Sequence, residues 1–102
     1  MLVVLTTIKN SAAGRRLAKV LVKERLVACV NIVPQVISIY TWKKKLVDET
    51  ESLLIMKTTS RRWATLQKRI EELHPYEVPE IVVLPLSKVS KKYGAWIKEV
   101  LG

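Results

Sequence analysis

The spacing of apolar residues changes several times along the chain, and each change predicts a new element. Residues 2–8 form an almost continuous apolar run, which is typical of a central strand buried on both faces. From Ala13 to about Leu26, apolar positions recur every three or four residues with basic residues between them, as expected of an amphipathic helix. Asn10 or Ser11 is the predicted N-cap of this helix.

Two long strands rich in β-branched residues are predicted next, over residues 29–42 and 46–58. The segment Lys43-Lys44-Lys45 between them is expected at the tip of a hairpin. Pro34 indicates a bulge or an edge position, because proline cannot donate a ladder hydrogen bond. Both faces of the first strand are apolar. Strict alternation directs Val33, Ile37 and Ile39 one way and Ile32, Val36, Tyr40 and Trp42 the other.

Neither set can face water without a free-energy cost, so the hairpin is expected to pack on another subunit. The predicted subunit interface consists of Val36, Ile37, Ile39, Tyr40 and Trp42. The alternative is a bent hairpin that folds back on its own domain.

The last third of the chain predicts a helix, a strand and a second helix. Thr59 or Ser60 is expected to cap the first helix, and Ser90 the second. A strand at 81–84 separates them, bounded by prolines. The apolar residues expected to face inward are Trp63, Leu66, Ile70 and Leu73 in the first helix and Tyr93, Trp96, Ile97 and Val100 in the second.

The order of the elements predicts the fold. Strand, helix, strand, strand, helix and strand, followed by an added C-terminal helix, is the split β-α-β pattern of α+β ferredoxin-like proteins. We therefore expect residues 1–102 to form a single domain with an antiparallel sheet. Two helices should cover one face of that sheet, and a second copy of the chain is the simplest cover for the other face.

Composition narrows the possible partners. Eighteen lysines and arginines against nine acidic residues give a net charge of +9, which attracts polyanions. Most of these cations fall on the polar faces of predicted helices, and the chain has no phenylalanine for a base-stacking surface, so no specific nucleic-acid binding is expected. The single cysteine, Cys29, excludes an intrachain disulfide and a multi-cysteine zinc site.

The start of the chain also bears on location. No run approaches the roughly 20 apolar residues of a membrane span. The first apolar run has no basic region before it and no small-residue cleavage site after it. A cytoplasmic protein without a membrane span is predicted. The few amide side chains and many charges are also compatible with a thermostable protein.

The segment from His74 to Ile81 is the predicted functional site. It holds the only histidine, a tyrosine and two carboxylates between a helix and a strand, and two prolines stiffen it. His74, Glu77 and Glu80 are the candidate ligands of a divalent metal, because a neutral imidazole nitrogen can bind an ion such as Cu(II) and carboxylates can supply further ligands. Alternatively, His74 caps the preceding helix and bonds to backbone carbonyls.

A second hypothesis is a sensor with a small-molecule pocket between subunits. Trp42, Glu49, Lys57 and Tyr76, together with Glu80, are its candidate lining. An enzyme is not expected, because no serine or cysteine nucleophile stands beside a histidine in the sequence. No required cofactor is predicted.

The chain also resembles the CutA family of divalent-cation tolerance proteins. The resemblance rests on Leu5 to Thr7, Glu24 to Ile32, Ser38 to Trp42, Leu53 to Thr58 and, most specifically, His74 to Ile81. It implies a homotrimer of ferredoxin-like subunits joined by their long hairpins, as in the PII signalling proteins. It also implies a role in tolerance of divalent metals, copper above all.

Two departures from the family pattern affect these expectations. Many relatives have a glycine between the hairpin tryptophan and lysine, whereas Trp42 is followed here by three lysines. Some bacterial relatives are associated with copper ligands that include an early cysteine and two adjacent histidines. Here His74 matches the second histidine, Leu73 replaces the first, and the N-terminal segment has no cysteine.

Overall fold

Four antiparallel strands form one sheet in the order β2-β3-β1-β4. The computed structural model describes residues 1–102. Its elements are β1 (Leu2–Ile8), α1 (Ser11–Lys23), β2 (Cys29–Trp42), β3 (Lys45–Thr58), a 3-10 turn (Ser60–Arg62), α2 (Trp63–Leu73), β4 (Val82–Pro85) and α3 (Lys91–Leu101). The predicted α+β architecture with a central first strand and an added C-terminal helix is confirmed.

The core lies on one face of the sheet, where α1 and α2 pack. The residues that meet there include Val4 and Ile8 of β1, Leu54 and Met56 of β3, Leu17 and Leu21 of α1, and Leu66 and Ile70 of α2. In β1 only alternate residues are buried. The expectation that this strand is buried on both faces is therefore wrong for a single chain, because α1 and α2 both lie on the same side.

The opposite face of the sheet is apolar and partly open to solvent. Val3 and Leu5 of β1 are half-buried there, and their partners Val82 and Leu84 of β4 are exposed. The neighbouring residues Leu53 and Ile55 of β3 are also only half-buried. Contact of such a surface with water costs free energy in proportion to the exposed apolar area.

A β-bulge in β2 changes which residues share a face. Val33 pairs with Leu53, but the next pair is Val36 with Glu51, so two residues of β2 stand opposite Ser52 alone. The Ser52 hydroxyl donates a hydrogen bond to the carbonyl of Pro34, with 2.7 Å between the oxygens. The bulge predicted from Pro34 is confirmed, and β2 is also an edge strand.

The bulge corrects the strict alternation expected along β2. Because the extra residue shifts the register by one, Val33 shares a face with Val36, Tyr40 and Trp42. Ile32, which packs against the core, shares the other face with Ile37 and Ile39. Val33 and Ile32 therefore exchange the faces that the sequence pattern assigned to them.

The outer half of the β2-β3 hairpin extends away from the domain. Ile37, Ile39 and Leu46 are 74%, 65% and 78% exposed, so the hairpin does not fold back on its own chain. Lys43 and Lys44 alone form the turn, since Lys45 already pairs with Trp42, and the expected three-residue tip is wrong. Both turn residues have positive φ, 50° and 66°, as type I′ turns require.

Helix α1 ends at Lys23, earlier than the predicted Leu26, because the chain forms a Schellman motif. Arg25 adopts a left-handed conformation with φ 59°. The Leu26 amide then donates to the Leu21 carbonyl, and the Arg25 amide to Val22, both at 3.0 Å. At the other end, the Asn10 side chain accepts a hydrogen bond from the Ala13 amide at 2.8 Å, as expected of an N-cap.

Helix α3 presents its two large aromatic residues to solvent, which corrects the inward orientation expected for them. Tyr93 and Trp96 are 38% and 41% exposed and stack with their ring centroids 5.6 Å apart. The buried side of α3 is formed instead by Ile97 and Leu101, which pack with Ala28. The preceding Ser90 occupies the N-cap position without a side-chain hydrogen bond.

The lysine turn makes a testable prediction. Lys44→Gly should raise the free energy of unfolding, because a left-handed conformation costs an L-residue about 1–2 kcal/mol. Glycine's greater freedom in the unfolded chain offsets about 0.5–1 kcal/mol of that gain. We expect a net stabilisation of a few tenths of a kcal/mol or more, measured by guanidinium denaturation.

Lys45→Gly is the matched control, since Lys45 is an exposed neighbour in strand conformation. Glycine in a strand should lower stability there. A loss of stability in both variants would contradict the proposed strain in the turn.

Candidate functional site

A cleft of about 770 Å³ lies between the outer part of the hairpin and the segment that follows α2. Its lining residues are Thr7, Lys9, Ser38, Ile39, Tyr40, Trp42, Glu49, Glu51, Tyr76, Glu77, Val78, Pro79 and Glu80. Strands β2 and β3 supply one wall, and the 76–80 segment supplies the other. The volume falls in the range of ordinary small-molecule sites, about 300–1,000 Å³.

The cleft brings together five of the metal-binding and ligand-binding residues predicted from the sequence. Trp42 and Glu49 reach it from the hairpin, and Tyr76, Glu77 and Glu80 from the loop. The hairpin residues and the loop residues are at least 27 positions apart in the chain, and the two groups meet because the loop folds back beside β3. The metal and small-molecule hypotheses therefore refer to the same place in the fold.

His74 lies beneath the cleft rather than in its lining. It is 6% exposed, ends α2, and its amide donates to the Ile70 carbonyl at 2.8 Å. Its Nε2 is 2.8 Å from the Thr7 carbonyl oxygen, and its Nδ1 is 3.2 Å from the Tyr76 amide nitrogen. Since a carbonyl only accepts and an amide only donates, Nε2 carries the proton and Nδ1 accepts.

Both ring nitrogens of His74 are therefore engaged by backbone groups. Burial lowers the pKa of His74, and the bond to Thr7 opposes this shift. The helix-cap alternative describes this arrangement, because His74 joins the end of α2 to β1 and to the loop. Coordination of a metal by this ring would require one of these hydrogen bonds to open.

Tyr76 links the histidine to a buried carboxylate that the sequence analysis missed. Its ring contacts His74 edge-on, with 4.7 Å between the ring centroids. Its hydroxyl donates to Glu51 Oε2 at 2.5 Å, and Glu51 is only 4% exposed. Burial, followed by the bond to Glu51, raises the pKa of Tyr76. The available signal was parity: Glu51 stands two residues from Glu49 and so shares its face.

A second tyrosine–carboxylate pair lies nearer the hairpin tip. The Tyr40 hydroxyl donates to Glu49 Oε1, and this hydrogen bond raises the pKa of Tyr40 to about 12. Glu80 faces the same cleft, where burial, followed by the charge of Glu51, raises its pKa. The carboxylates are thus close enough to influence one another.

The cleft is acidic although the chain as a whole is strongly basic. Four carboxylates line it, those of Glu49, Glu51, Glu77 and Glu80, and Lys9 is the one basic residue in the lining. The chain carries a net charge of +9. No three histidine, cysteine, aspartate or glutamate side chains of a single chain are grouped closely enough to enclose a metal ion.

Lys43 brings an ammonium group to the mouth of the cleft. Its Nζ lies 3.9 Å from Glu77 Oε2 and 5.7 Å from the centroid of the Trp42 ring. A carboxylate and an aromatic face therefore act on the same cation.

Lys57 does not reach the cleft of its own chain, and its place in the lining of a pocket between subunits stays a prediction. It pairs with Val3 and Cys29 toward one end of the sheet, whereas Glu49 and Glu51 lie six or more residues away along β3. Its ammonium donates to the Asn31 side chain and lies 4.0 Å from the Cys29 sulfur. Cys29 is half-buried there.

The predicted interface residues occupy both faces of the hairpin. Tyr40 and Trp42 are 40% and 39% exposed on the cleft side. Ile37 and Ile39 belong to the opposite face of the strand, although Ile39 also borders the cleft along this edge strand. Val36 is half-buried beside the bulge. None of the helices is long and apolar enough to cross a membrane.

Comparison with known proteins gives a consistent result. The family model described as CutA1 divalent ion tolerance protein matches residues 2–100. The divalent-cation tolerance protein CutA of Thermus thermophilus is 47% identical over 98% of this chain and 97% of its own length. Plant and mammalian relatives are longer, and this chain spans about half of their length.

Solved structures of related proteins share the fold closely. CutA1 from Pyrococcus horikoshii superposes with a TM-score of 0.95 at 34% identity, over 100% of this chain and 99% of that one. The PII-like protein CutA from Nostoc sp. PCC 7120 in apo form gives 0.92 at 38% identity, over 100% and 98%. The chain belongs to the family of CutA1 divalent ion tolerance proteins.

Proposed function

We propose that this protein acts in the cytoplasm as a non-enzymatic homotrimer in divalent-cation tolerance, and that its acidic cleft binds divalent cations weakly. The observation that carries the proposal is the contrast between four carboxylates in one cleft and a chain of net charge +9. The family description refers to ion tolerance and to no reaction.

The open apolar surfaces support an assembly. The uncovered sheet face and the exposed hairpin residues Ile37, Ile39 and Leu46 lie on different sides of the sheet, so a neighbour that covers one leaves the other available. Such a heterologous contact produces a closed ring when the rotation between copies closes. Three copies are the number that the likeness to PII signalling proteins implies.

The carboxylates attract cations, and the chemistry of their oxygen ligands determines the expected order of metal-ion affinities. Oxygen ligands bind divalent metals generally, and Cu(II) binds most tightly among the first-row ions at a given site. The affinity for the metal should be low, because no three histidine, cysteine, aspartate or glutamate side chains of a single chain lie close enough to hold a metal ion together. Glu49, Glu77 and Glu80 are the proposed ligands, completed by groups of a neighbouring subunit or by water.

His74 takes part in this proposal mainly by holding the loop. Its two backbone hydrogen bonds fix Tyr76, and with it the wall that carries Glu77 and Glu80. Direct ligation remains the alternative for His74, at the expense of one of those bonds. Titration of Cu(II) into wild type and His74→Gln distinguishes the two roles.

A second candidate function is that of a sensor for a small molecule. The size of the cleft and its aromatic residues Tyr40, Trp42 and Tyr76 favour it, because a bare metal site needs neither. The likeness to a protein described as PII-like adds to this candidate.

The assembly can be tested at the hairpin. Ile37→Asp puts a charge on a side chain that is 74% exposed in a single chain. If this residue is buried between subunits, the charge should shift the protein from trimer to monomer, as measured by light scattering. Val22→Asp, on the solvent side of α1, is the control and should leave the mass unchanged. An intact Ile37→Asp trimer would exclude Ile37 from the interface.

Cation binding can be tested with Glu80→Gln, which removes one cleft carboxylate and keeps its shape. We expect Cu(II) affinity, measured by calorimetry, to fall about tenfold, in line with the loss of one charged ligand. Mn(II) should bind more weakly than Cu(II) to wild type. Glu72→Gln, an exposed carboxylate on α2, is the control. Equal Cu(II) affinities in wild type, Glu80→Gln and Glu72→Gln would show that the metal does not bind at Glu80 in the cleft.

A further inference from the structure

We infer that the cleft is also a binding site for organic ammonium ions, of the class of alkyl diamines and polyamines. This inference rests on the proposed function in one respect, namely that the cleft binds cations. It adds the chemical class of a ligand that a simple carboxylate metal site would not select. Three observations carry it.

The first observation is the ammonium group that the chain itself supplies. Lys43 Nζ is held between the Glu77 carboxylate and the face of Trp42, at 3.9 Å and 5.7 Å respectively. This is the combination of charge and aromatic face that recognises alkylammonium ligands. Lys43 is an exposed turn residue, with 71% of its side chain accessible, so a free amine can displace it.

The second observation is a buried carboxylate with an unused oxygen. Glu51 is 4% exposed and lines the cleft, and its Oε2 accepts from the Tyr76 hydroxyl. Its other oxygen accepts no hydrogen bond within the chain and is reached by solvent, so a ligand in the cleft can contact it. A buried carboxylate is stable when it is paired, and an ammonium group can donate to the free oxygen while balancing the charge.

The third observation is that the walls suit the rest of such a molecule. Tyr40 and Trp42 on one side, and Tyr76 and Val78 on the other, offer apolar surface between the carboxylates. Methylene groups gain free energy from this surface, whereas a hydrated metal ion does not. A chain with an ammonium group at each end can reach more than one carboxylate while its methylenes contact the rings.

The probe is spermidine, titrated by calorimetry into the assembled protein in metal-free buffer, with 1,8-octanediol as the uncharged comparison. We expect saturable binding of spermidine and none of the diol. Trp42→Leu should weaken spermidine binding about tenfold through loss of the aromatic face. It should leave Mn(II) affinity within a factor of two. Trp96→Leu, equally exposed on α3, is the matched control.

Lys43→Gln gives a second test that a folding defect cannot imitate. Removing the resident ammonium should strengthen spermidine binding several-fold, because the ligand no longer competes with Lys43 for Glu77 and Trp42. Lys44→Gln, the other residue of the turn, should leave the affinity unchanged. If light scattering shows that Trp42→Leu dissociates the assembly, the spermidine affinity of Lys43→Gln decides whether the cleft is the amine site.

The outcomes separate this inference from the proposed function. Mn(II) binding without spermidine binding would overturn the amine site and leave the cation cleft in place. If neither Trp42→Leu nor Lys43→Gln changes the affinity for spermidine, the binding is general charge attraction, and the inference is overturned. If neither cation binds, both proposals fail.

Discussion

Two helices can cover only one face of a four-stranded sheet, and the rest of this structure follows from that limit. The core on the covered face includes Val4, Leu54 and Leu66, and it is complete within one chain. The other face keeps Leu5 and Leu53 only half-buried. The hairpin extends beyond both helices, where its own apolar residues have no cover. The same extension forms one wall of the cleft, so the incomplete coverage and the site have a common origin.

His74 connects the covered and uncovered parts of the molecule. It ends α2, bonds to the backbone of β1 through Thr7, and positions Tyr76. Tyr76 then carries its hydroxyl to Glu51 in β3. One imidazole thus fixes three elements around the cleft. This explains how a loop with two prolines and exposed carboxylates can hold a defined wall without regular secondary structure.

Much of the fold could be predicted because its signals are local. The apolar spacing of α1 and the long runs of β2 and β3 depend only on neighbouring residues. The faces of β2 could not be read correctly, because a bulge at Pro34 changes parity and its register depends on Ser52, 18 residues away. The exposure of Tyr93 and Trp96 could not be read either, since helical spacing does not show what packs on a helix.

The candidate site was predicted in part for the same reason. Glu77 and Glu80 belong to a compact polar segment, which a sequence displays directly. Parity places Glu51 on the same face as Glu49, but its burial beside Tyr76 depends on how the loop packs, and an acidic residue in a strand is otherwise typical of a solvent face.

The acidic cleft has an electrostatic consequence that follows from its setting. At distances beyond about 10 Å, the net charge of +9 repels cations, and salt at about 0.1 M screens that repulsion. Within the cleft, the carboxylates are closer than the surrounding lysines and dominate the local potential. Added salt screens both the attraction of cations to the cleft carboxylates and the long-range repulsion by the rest of the chain. We therefore expect salt to lower the cation affinity of the cleft less than it lowers cation binding at an exposed acidic surface. This combination favours small cations that enter the cleft over large polycations that remain outside it.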